Sequence, residues 1–359
     1  MIQKALEKVL KGKELSEKEA YEAVRAMVSG KIPAVQMAAF LTAMRVKGAS
    51  IPELIGAARA IKEGFVSWVG VENGFLSMDR EEIHLDQETI ERTSHGPGGG
   101  TATFNVSTAA AIVAAGAGAK VVRHASLVPS ERVGTEHVLR HLGIRPEITP
   151  SLARRCLEET GVAFLYSPAL HPASRLLYQV RRQLGFRTLL NVAGPLSNPC
   201  EAKAMYLGAY DAEDILRFPK VAKALGTRRG IIVHGDHTLD EASITGLTRT
   251  CELNDTGFQV EEFFPEDLGL TRAKPEEILG GDAQRNATII KNVLEGERGP
   301  RRDLVVLNAA LALVAAGRAQ DLKSAMEMAQ ESIDSAGALG RLNCLARLTN
   351  ETGYVRLAE

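Results

Sequence analysis

Residues 94–108 read SHGPGGGTATFNVST. Four glycines fall in five positions (Gly96, Gly98, Gly99, Gly100), ahead of Asn105, Ser107, Thr108 and an alanine-rich run over Ala109–Ala117. A glycine-rich turn entering a helix is a way to hold phosphate. Without Cβ atoms the backbone N–H groups can close on an anion, and the helix start adds positive partial charge. The apolar run Ala119–Arg123 follows, so loop, helix and strand signals succeed one another. The texture from about residue 94 onward is therefore α/β. Taken alone the loop is neither a Walker motif nor GxGxxG, and a surface turn with a simple helix cap is the competing reading.

Downstream, strand-type runs at Phe164–Tyr166, Met205–Tyr210 and Gly230–Val233 alternate with helical patterns. These lie at Thr135–His141, Ala212–Leu225 (interrupted at Pro219), Arg285–Leu294, Leu304–Ala316 and Asp321–Ala336. Interleaving of this kind predicts a mostly parallel central sheet flanked by helices. Upstream, the first 64 residues read as helices in close succession. Ser16-x-x-Glu19 is a capping box, Pro33 can open the next helix, and Ser50-Ile-Pro-Glu53 caps another. The predicted fold is thus a small all-helical N-terminal domain (1–64), a connector with some strand (65–93) and a large α/β domain (94–359).

The 359 residues are 45% hydrophobic and 24% charged, with a formal net charge of −1. There is no Lys/Arg block, which argues against a dedicated nucleic-acid surface. No stretch reaches 18 uncharged apolar residues, and a cytoplasmic protein is expected. Cys156, Cys200, Cys251 and Cys344 form no CxxC pair, so they read as reduced thiols and not as zinc ligands.

Three further segments carry candidate chemistry. The strand ending in Arg123-His124 enters a polar loop that reaches Ser126 and Thr135; strand ends are where active-site loops sit in open α/β sheets. Residues 230–246, GIIVHGDHTLDEASITG, place Asp236, Asp240 and Glu241 after a strand, and paired carboxylates suit a hard divalent cation. Residues 171–199 carry Arg175, Arg181, Arg182 and Arg187, the residue type for bidentate carboxylate or phosphate recognition. Solvated helix faces and ordinary first-turn acids are the plain alternatives for the last two.

TFNVST, the RH pair with its serine-containing loop, HPASRLLYQVRRQLGFRTLLNVAGPLSNP, VHGDHTLDE, NAALAL and QMAAFLTAMRVKG together resemble the anthranilate phosphoribosyltransferase family, over nearly the whole chain and in the family's order. The resemblance implies transfer of 5-phosphoribose from phosphoribosyl pyrophosphate to an aromatic amine, anthranilate by first choice. It also implies Mg²⁺, and a homodimer through the helical domain, which helices from about 168–190 would join. Carried over by position, Gly98, Gly99, Gly100 and Thr103 would line the diphosphate site. Asn105, Ser107 and Thr108 would hold pyrophosphate, with Ser107, Asp240 and Glu241 toward metal. Arg123, His124, Ser126 and Arg181 would line the substrate sites, Arg181 and His124 on the acceptor side. The chain departs from the family pattern at Pro97, Gly99, Ser126, Leu127, Glu131 and Thr238, all in loops. A non-catalytic paralogue and a nucleoside phosphorylase-like enzyme are the other readings of those departures.

Overall fold

The computed structural model describes residues 2–64, 76–80, 103–125, 135–166, 175–197, 200–236 and 239–351. The sequence expectations at Gly98–Gly100, Ser126 and the substituted loop positions around them lie outside these residues.

The N-terminal helices form where their caps predict. They are α1 (Ile2–Leu10), α2 (Glu17–Val28), α3 (Ala34–Lys47) and α4 (Ile51–Glu63). Ser16 Oγ accepts the Glu19 N–H at 3.3 Å while Glu19 returns to the Ser16 N–H at 2.8 Å, closing the capping box. Glu53 does more than cap. It is fully buried, takes the Ser50 N–H at 2.7 Å and the Leu15 N–H at 2.8 Å, and pairs with Lys47 at 2.8 Å. One carboxylate thus ties the loop before α2 to the joint between α3 and α4.

Among the described residues, seven strands make one sheet, ordered β3-β2-β1-β4-β5-β6-β7. β1 (Leu76–Arg80), β2 (Val121–Ala125), β3 (Val162–Tyr166), β4 (Ala204–Gly208) and β5 (Arg229–Gly235) are parallel. β6 (Thr248–Asn254) and β7 (Gly257–Phe263) extend the sheet antiparallel as a hairpin. The parallel majority agrees with the sequence reading; the hairpin adds to it. Its turn is built by Asn254, whose Oδ1 accepts the Thr256 N–H at 2.9 Å and the Gly257 N–H at 3.2 Å. The segment read as a connector supplies β1, which lies between β2 and β4 and so inside the sheet.

Helices follow the parallel strands: α5 (Val106–Gly116), α6 (Thr135–His141), α7 (Pro150–Thr160), α8 (Arg175–Leu184), α9 (Leu189–Leu196) and α10 (Asp214–Ala224). The C-terminal part is helical, with α11 (Ala283–Leu294), α12 (Pro300–Ala315), α13 (Leu322–Asp334) and α14 (Gly337–Asn350). Pro219 does not interrupt α10: the helix runs through it, and the ring is buried in the face turned to the core. The run beyond Asp334 continues after Ala336, in a left-handed conformation at φ 56°, as the separate helix α14.

The sheet separates two apolar clusters by strand alternation. Tyr206, Ile231 and Val233 face the cluster built on α5, α12, α13 and α14. Met205, Leu207 and Ile232 face a second cluster that contains Ala20, Met27, Phe40, Leu41 and Leu54 of the N-terminal helices. Leu177, Val180, Leu189 and Leu190 of α8 and α9 belong to that second cluster too. The helical bundle therefore shares its core with one face of the sheet. No helix among the described residues is long and apolar enough to cross a membrane. All four cysteines are unpaired thiols; Cys344 is half-buried and the other three are buried.

Candidate active site

The strand order itself locates the site. β1 is followed through α5 by β2 on one side, and β4 lies on the other. The strand order reverses between β1 and β4, and open α/β sheets bind ligands beyond the carboxyl ends of the strands at such a point. Helix α5 starts at this end of the sheet with the positive end of its dipole, its Val106, Thr108 and Ala109 N–H groups going to the Phe104 and Asn105 carbonyls.

Asn105 is the residue before α5, at φ −65° and ψ 64°, and its side chain makes no capping bond. A simple helix cap is thereby ruled out as its role. Its Oδ1 instead accepts from Asn286 Nδ2 at 3.1 Å. Thr103 forms an isolated antiparallel bridge with Leu279, so the chain entering α5 lies along the segment that precedes α11.

Arg123, on β2, is buried and splits its guanidinium between two hydroxyls of α5. One nitrogen reaches Thr108 Oγ1 at 2.5 Å and the other Ser107 Oγ at 2.7 Å. This fork holds a full positive charge beside a helix N-terminus, an arrangement that attracts an anion. Ser107 Oγ, while accepting from Arg123, keeps its own proton for a phosphate oxygen and a second lone pair. Thr108, expected to touch substrate, is fully buried and has its hydroxyl engaged by Arg123. It braces Arg123 and presents no surface to solvent. His124 is half-buried and, being next to Arg123 on a strand, points to the opposite face of the sheet.

The acidic pair sits at the carboxyl end of β4. Asp240 and Glu241 are both buried, and a Cβ built on Gly208 would fall 1.7 Å from the Asp240 carbonyl oxygen. Only glycine at the end of β4 lets this loop lie over the strand. Asn308 of α12 anchors the loop from below. Its Oδ1 accepts the Ala242 N–H at 3.0 Å and the Tyr206 hydroxyl at 2.7 Å. Its Nδ2 donates to the Ala242 carbonyl at 3.1 Å and the Leu304 carbonyl at 2.9 Å. Burial, and then the nearby Glu241 carboxylate, hold the Tyr206 phenol well above its usual pKa, so it remains a donor. Asp236 stands apart from the pair and accepts from Thr245 Oγ1 at 3.1 Å, closing the same loop.

Two carboxylates supply hard oxygen ligands but fill only part of a six-coordinate shell. That fits Mg²⁺, which is held by one or two carboxylates with waters and substrate phosphates completing the octahedron. Among the described residues no group of three or more His, Cys, Asp and Glu side chains could hold a metal by itself.

The arginines with described side chains separate. Arg181 is half-buried on α8 and Arg182 is exposed beside it. Arg187 is buried, lies 4.2 Å over the ring of Tyr210 and 3.7 Å from Asp211. Burial lowers its pKa, against the opposing pull of Asp211 and Asp240. Thr135 opens α6, and Glu136 next to it is buried near Tyr166. Desolvation raises the Glu136 carboxyl to about 7. Asn286 and Gly208 escaped the sequence reading as site residues. The spacing Gly280-Gly-Asp-x-x-x-Asn286 ahead of a helix was the available signal for the first.

Comparison with known proteins agrees with this architecture. The helical-bundle domain of the glycosyl transferase family matches residues 3–63, and the a/b domain of that family matches residues 88–339. An anthranilate phosphoribosyltransferase of Geotalea uraniireducens is 42% identical, over 98% of this chain and 100% of that protein. The one from Geobacter sulfurreducens is 41% identical over the same shares. The crystal structure of anthranilate phosphoribosyltransferase from Thermus thermophilus superposes with a TM-score of 0.84 at 32% identity, covering 96% of this chain and 99% of that one. The Saccharomyces cerevisiae enzyme in complex with PRPP and Mg has the same fold, at a TM-score of 0.82 and 24% identity, with 98% of each chain covered. Matched in both its parts, the chain belongs to the glycosyl transferase family that contains the anthranilate phosphoribosyltransferases.

Proposed function

We propose that this glycosyltransferase moves 5-phosphoribose from phosphoribosyl pyrophosphate to the amine of anthranilate, with Mg²⁺, and releases pyrophosphate. The observation that carries the reading is the presence of two complementary features near the strand-order reversal, which would form opposite walls of one crevice. The Arg123–Ser107–Thr108 fork at the start of α5 attracts an anion, and the Asp240–Glu241 pair attracts a cation. A diphosphate chelated to a divalent metal satisfies both. The relatives named above supply the substrate class.

In this reaction the amine nitrogen bonds to C1 of the ribose as the C1–oxygen bond to pyrophosphate breaks, and the nitrogen then loses a proton. Positive charge develops on the ring and negative charge on the leaving group. The protein therefore acts mostly by positioning and by neutralising the leaving diphosphate. Arg123, the positive end of the α5 dipole and the Ser107 hydroxyl would face that charge. Asp240 and Glu241 would hold Mg²⁺, which when bound supplies Lewis-acid neutralisation of the pyrophosphate oxygens. Gly98, Gly99, Gly100 and Thr103 are assigned to the diphosphate loop. His124, Ser126 and Arg181 are assigned to the acceptor side, where the Arg181 guanidinium suits a carboxylate.

The same reading includes a cytoplasmic location and a homodimer through the helical bundle. Val35 and Val46 on α3 are 80% and 84% exposed, an apolar surface that a second copy would cover. Pyrophosphate release from phosphoribosyl pyrophosphate and Mg²⁺, measured across a panel of aromatic amines, tests the activity. No turnover with anthranilate would sink the specific form. Phosphate-dependent release of base from a nucleoside would shift the reading to phosphorolysis.

A further inference from the structure

Asn286 lies on α11, far from the acidic loop in sequence, and is 3% exposed. Its side-chain oxygen accepts the Gly281 N–H at 2.7 Å, and its side-chain nitrogen donates to Asn105 Oδ1 at 3.1 Å. The orientation of this relay follows from chemistry alone. A backbone N–H only donates, so the Asn286 oxygen must face Gly281. The NH₂ end must then face Asn105, and Asn105 must answer with its oxygen. The Asn105 NH₂ is left over, with no protein acceptor among the described residues, at the opening of α5.

Gly280 makes the relay compact. A Cβ there would fall 2.8 Å from Asn286 Oδ1 and 2.8 Å from the Phe104 nitrogen, so the turn before α11 is pressed against the chain entering α5.

Resting on the function proposed above, we infer that Asn286 is a positioning residue for donor binding. It holds the Asn105 amide in the one of its two flips that presents NH₂, and not oxygen, to the diphosphate. The opposite flip would set a carbonyl oxygen against an anion.

Asn286→Asp tests this directly. It keeps the size and the bond from Gly281, but replaces the NH₂ by an acceptor and so favours the wrong flip of Asn105. Asn286→Ala removes the relay and leaves Asn105 free to choose. The inference therefore requires Asp to be the more harmful change. Calorimetric titration of the whole protein with phosphoribosyl pyrophosphate and Mg²⁺ should show affinity reduced about 30-fold in Asn286→Asp and about 5-fold in Asn286→Ala, the range for an inverted against a merely lost hydrogen bond. The anthranilate KM at saturating donor should not change. In an Asn105→Ala background the Asp and Ala variants should bind donor equally, because the relay has lost its second member.

Ala as harmful as Asp, or the same loss in the Asn105→Ala background, would overturn the inference and leave Asn286 a structural residue. Failure of the wild-type protein to bind phosphoribosyl pyrophosphate at all would overturn the parent reading and this one with it. Should Asn286→Asp not fold, Asn286→Leu compared with Asn286→Ala across the same two backgrounds gives the coupling.

Discussion

Asn308 grips Ala242 by both of its backbone groups, donating to the carbonyl and accepting from the N–H. Leu304 and Tyr206 use up the rest of the amide, so every hydrogen-bonding position of this buried side chain is filled. The loop bearing Asp240 and Glu241 is thus fastened to α12, a helix of the main core.

Asn308→Leu keeps the volume and strands the Tyr206 hydroxyl and both Ala242 groups. Stability should fall by about 3 kcal/mol, the usual consequence of leaving buried polar groups unmade. The acidic loop loses its anchor as well, so kcat/KM should drop at least tenfold by loosening alone, as for other supports behind metal ligands. Urea unfolding and steady-state kinetics measure the two effects; an unaffected kcat/KM would show that Asn308 serves only the core.

Replacing the carboxylates separates metal handling from folding. Asp240→Asn and Glu241→Gln should each raise the Mg²⁺ concentration for half-maximal activity by about tenfold or more. Far-UV circular dichroism of both variants checks that each keeps the fold. A Mg²⁺ dependence identical to the wild type in both variants would refute the assignment.

Arg123→Lys retains the charge but not the fork. One ammonium cannot reproduce the two directed bonds to Ser107 and Thr108, so the KM for phosphoribosyl pyrophosphate should rise by about tenfold. The anthranilate KM should hold. A rise confined to the acceptor would place Arg123 on the wrong wall.

Glu136 links stability to pH. Burial raises its carboxyl to about 7 from 4.5, so the folded state binds this proton more tightly than the unfolded chain does. Its contribution is fully present below 4.5, declines as the pH rises to about 7, and is absent above. Glu136→Gln should therefore match the wild type at pH 4.5 and melt higher by roughly 3–6 °C at pH 8. Thermal scans from pH 4.5 to 8.5 give the comparison, and a constant offset across that range would contradict it.

Glu53 tests the helical bundle. Glu53→Ala removes two backbone acceptors and leaves Lys47 without its partner, which should cost about 3–5 kcal/mol. A loss below about 1 kcal/mol, the surface ion-pair range, would mean the pair is not buried in solution.

Local chemistry made part of the fold legible. The capping signals at Ser16 and Ser50 specify helix starts through bonds between residues three apart; the Ser16 box closes in both directions, and at Ser50 the Glu53 carboxylate takes the Ser50 N–H. The alternation of apolar runs with helical patterns announced the parallel sheet. β1 was harder, because Leu76–Arg80 carries mixed charge and no helical period. It becomes a strand by pairing with β2 and β4, partners distant in the chain.

The sequence by itself determined the helix caps, the α/β alternation and the residue types of both walls of the crevice: hydroxyls and arginine on one, carboxylates on the other. It could do so because these depend on short-range bonding and on chemistry written into each side chain. Only the tertiary structure decided which of them meet. Thr108 turned inward because Arg123 reaches it from a strand, and Asn105 became spoken for by Asn286 from a helix 181 residues away. Asn308 closed on Ala242 across 66 residues. Such contacts follow from strand order and helix packing, and no local pattern encodes their geometry.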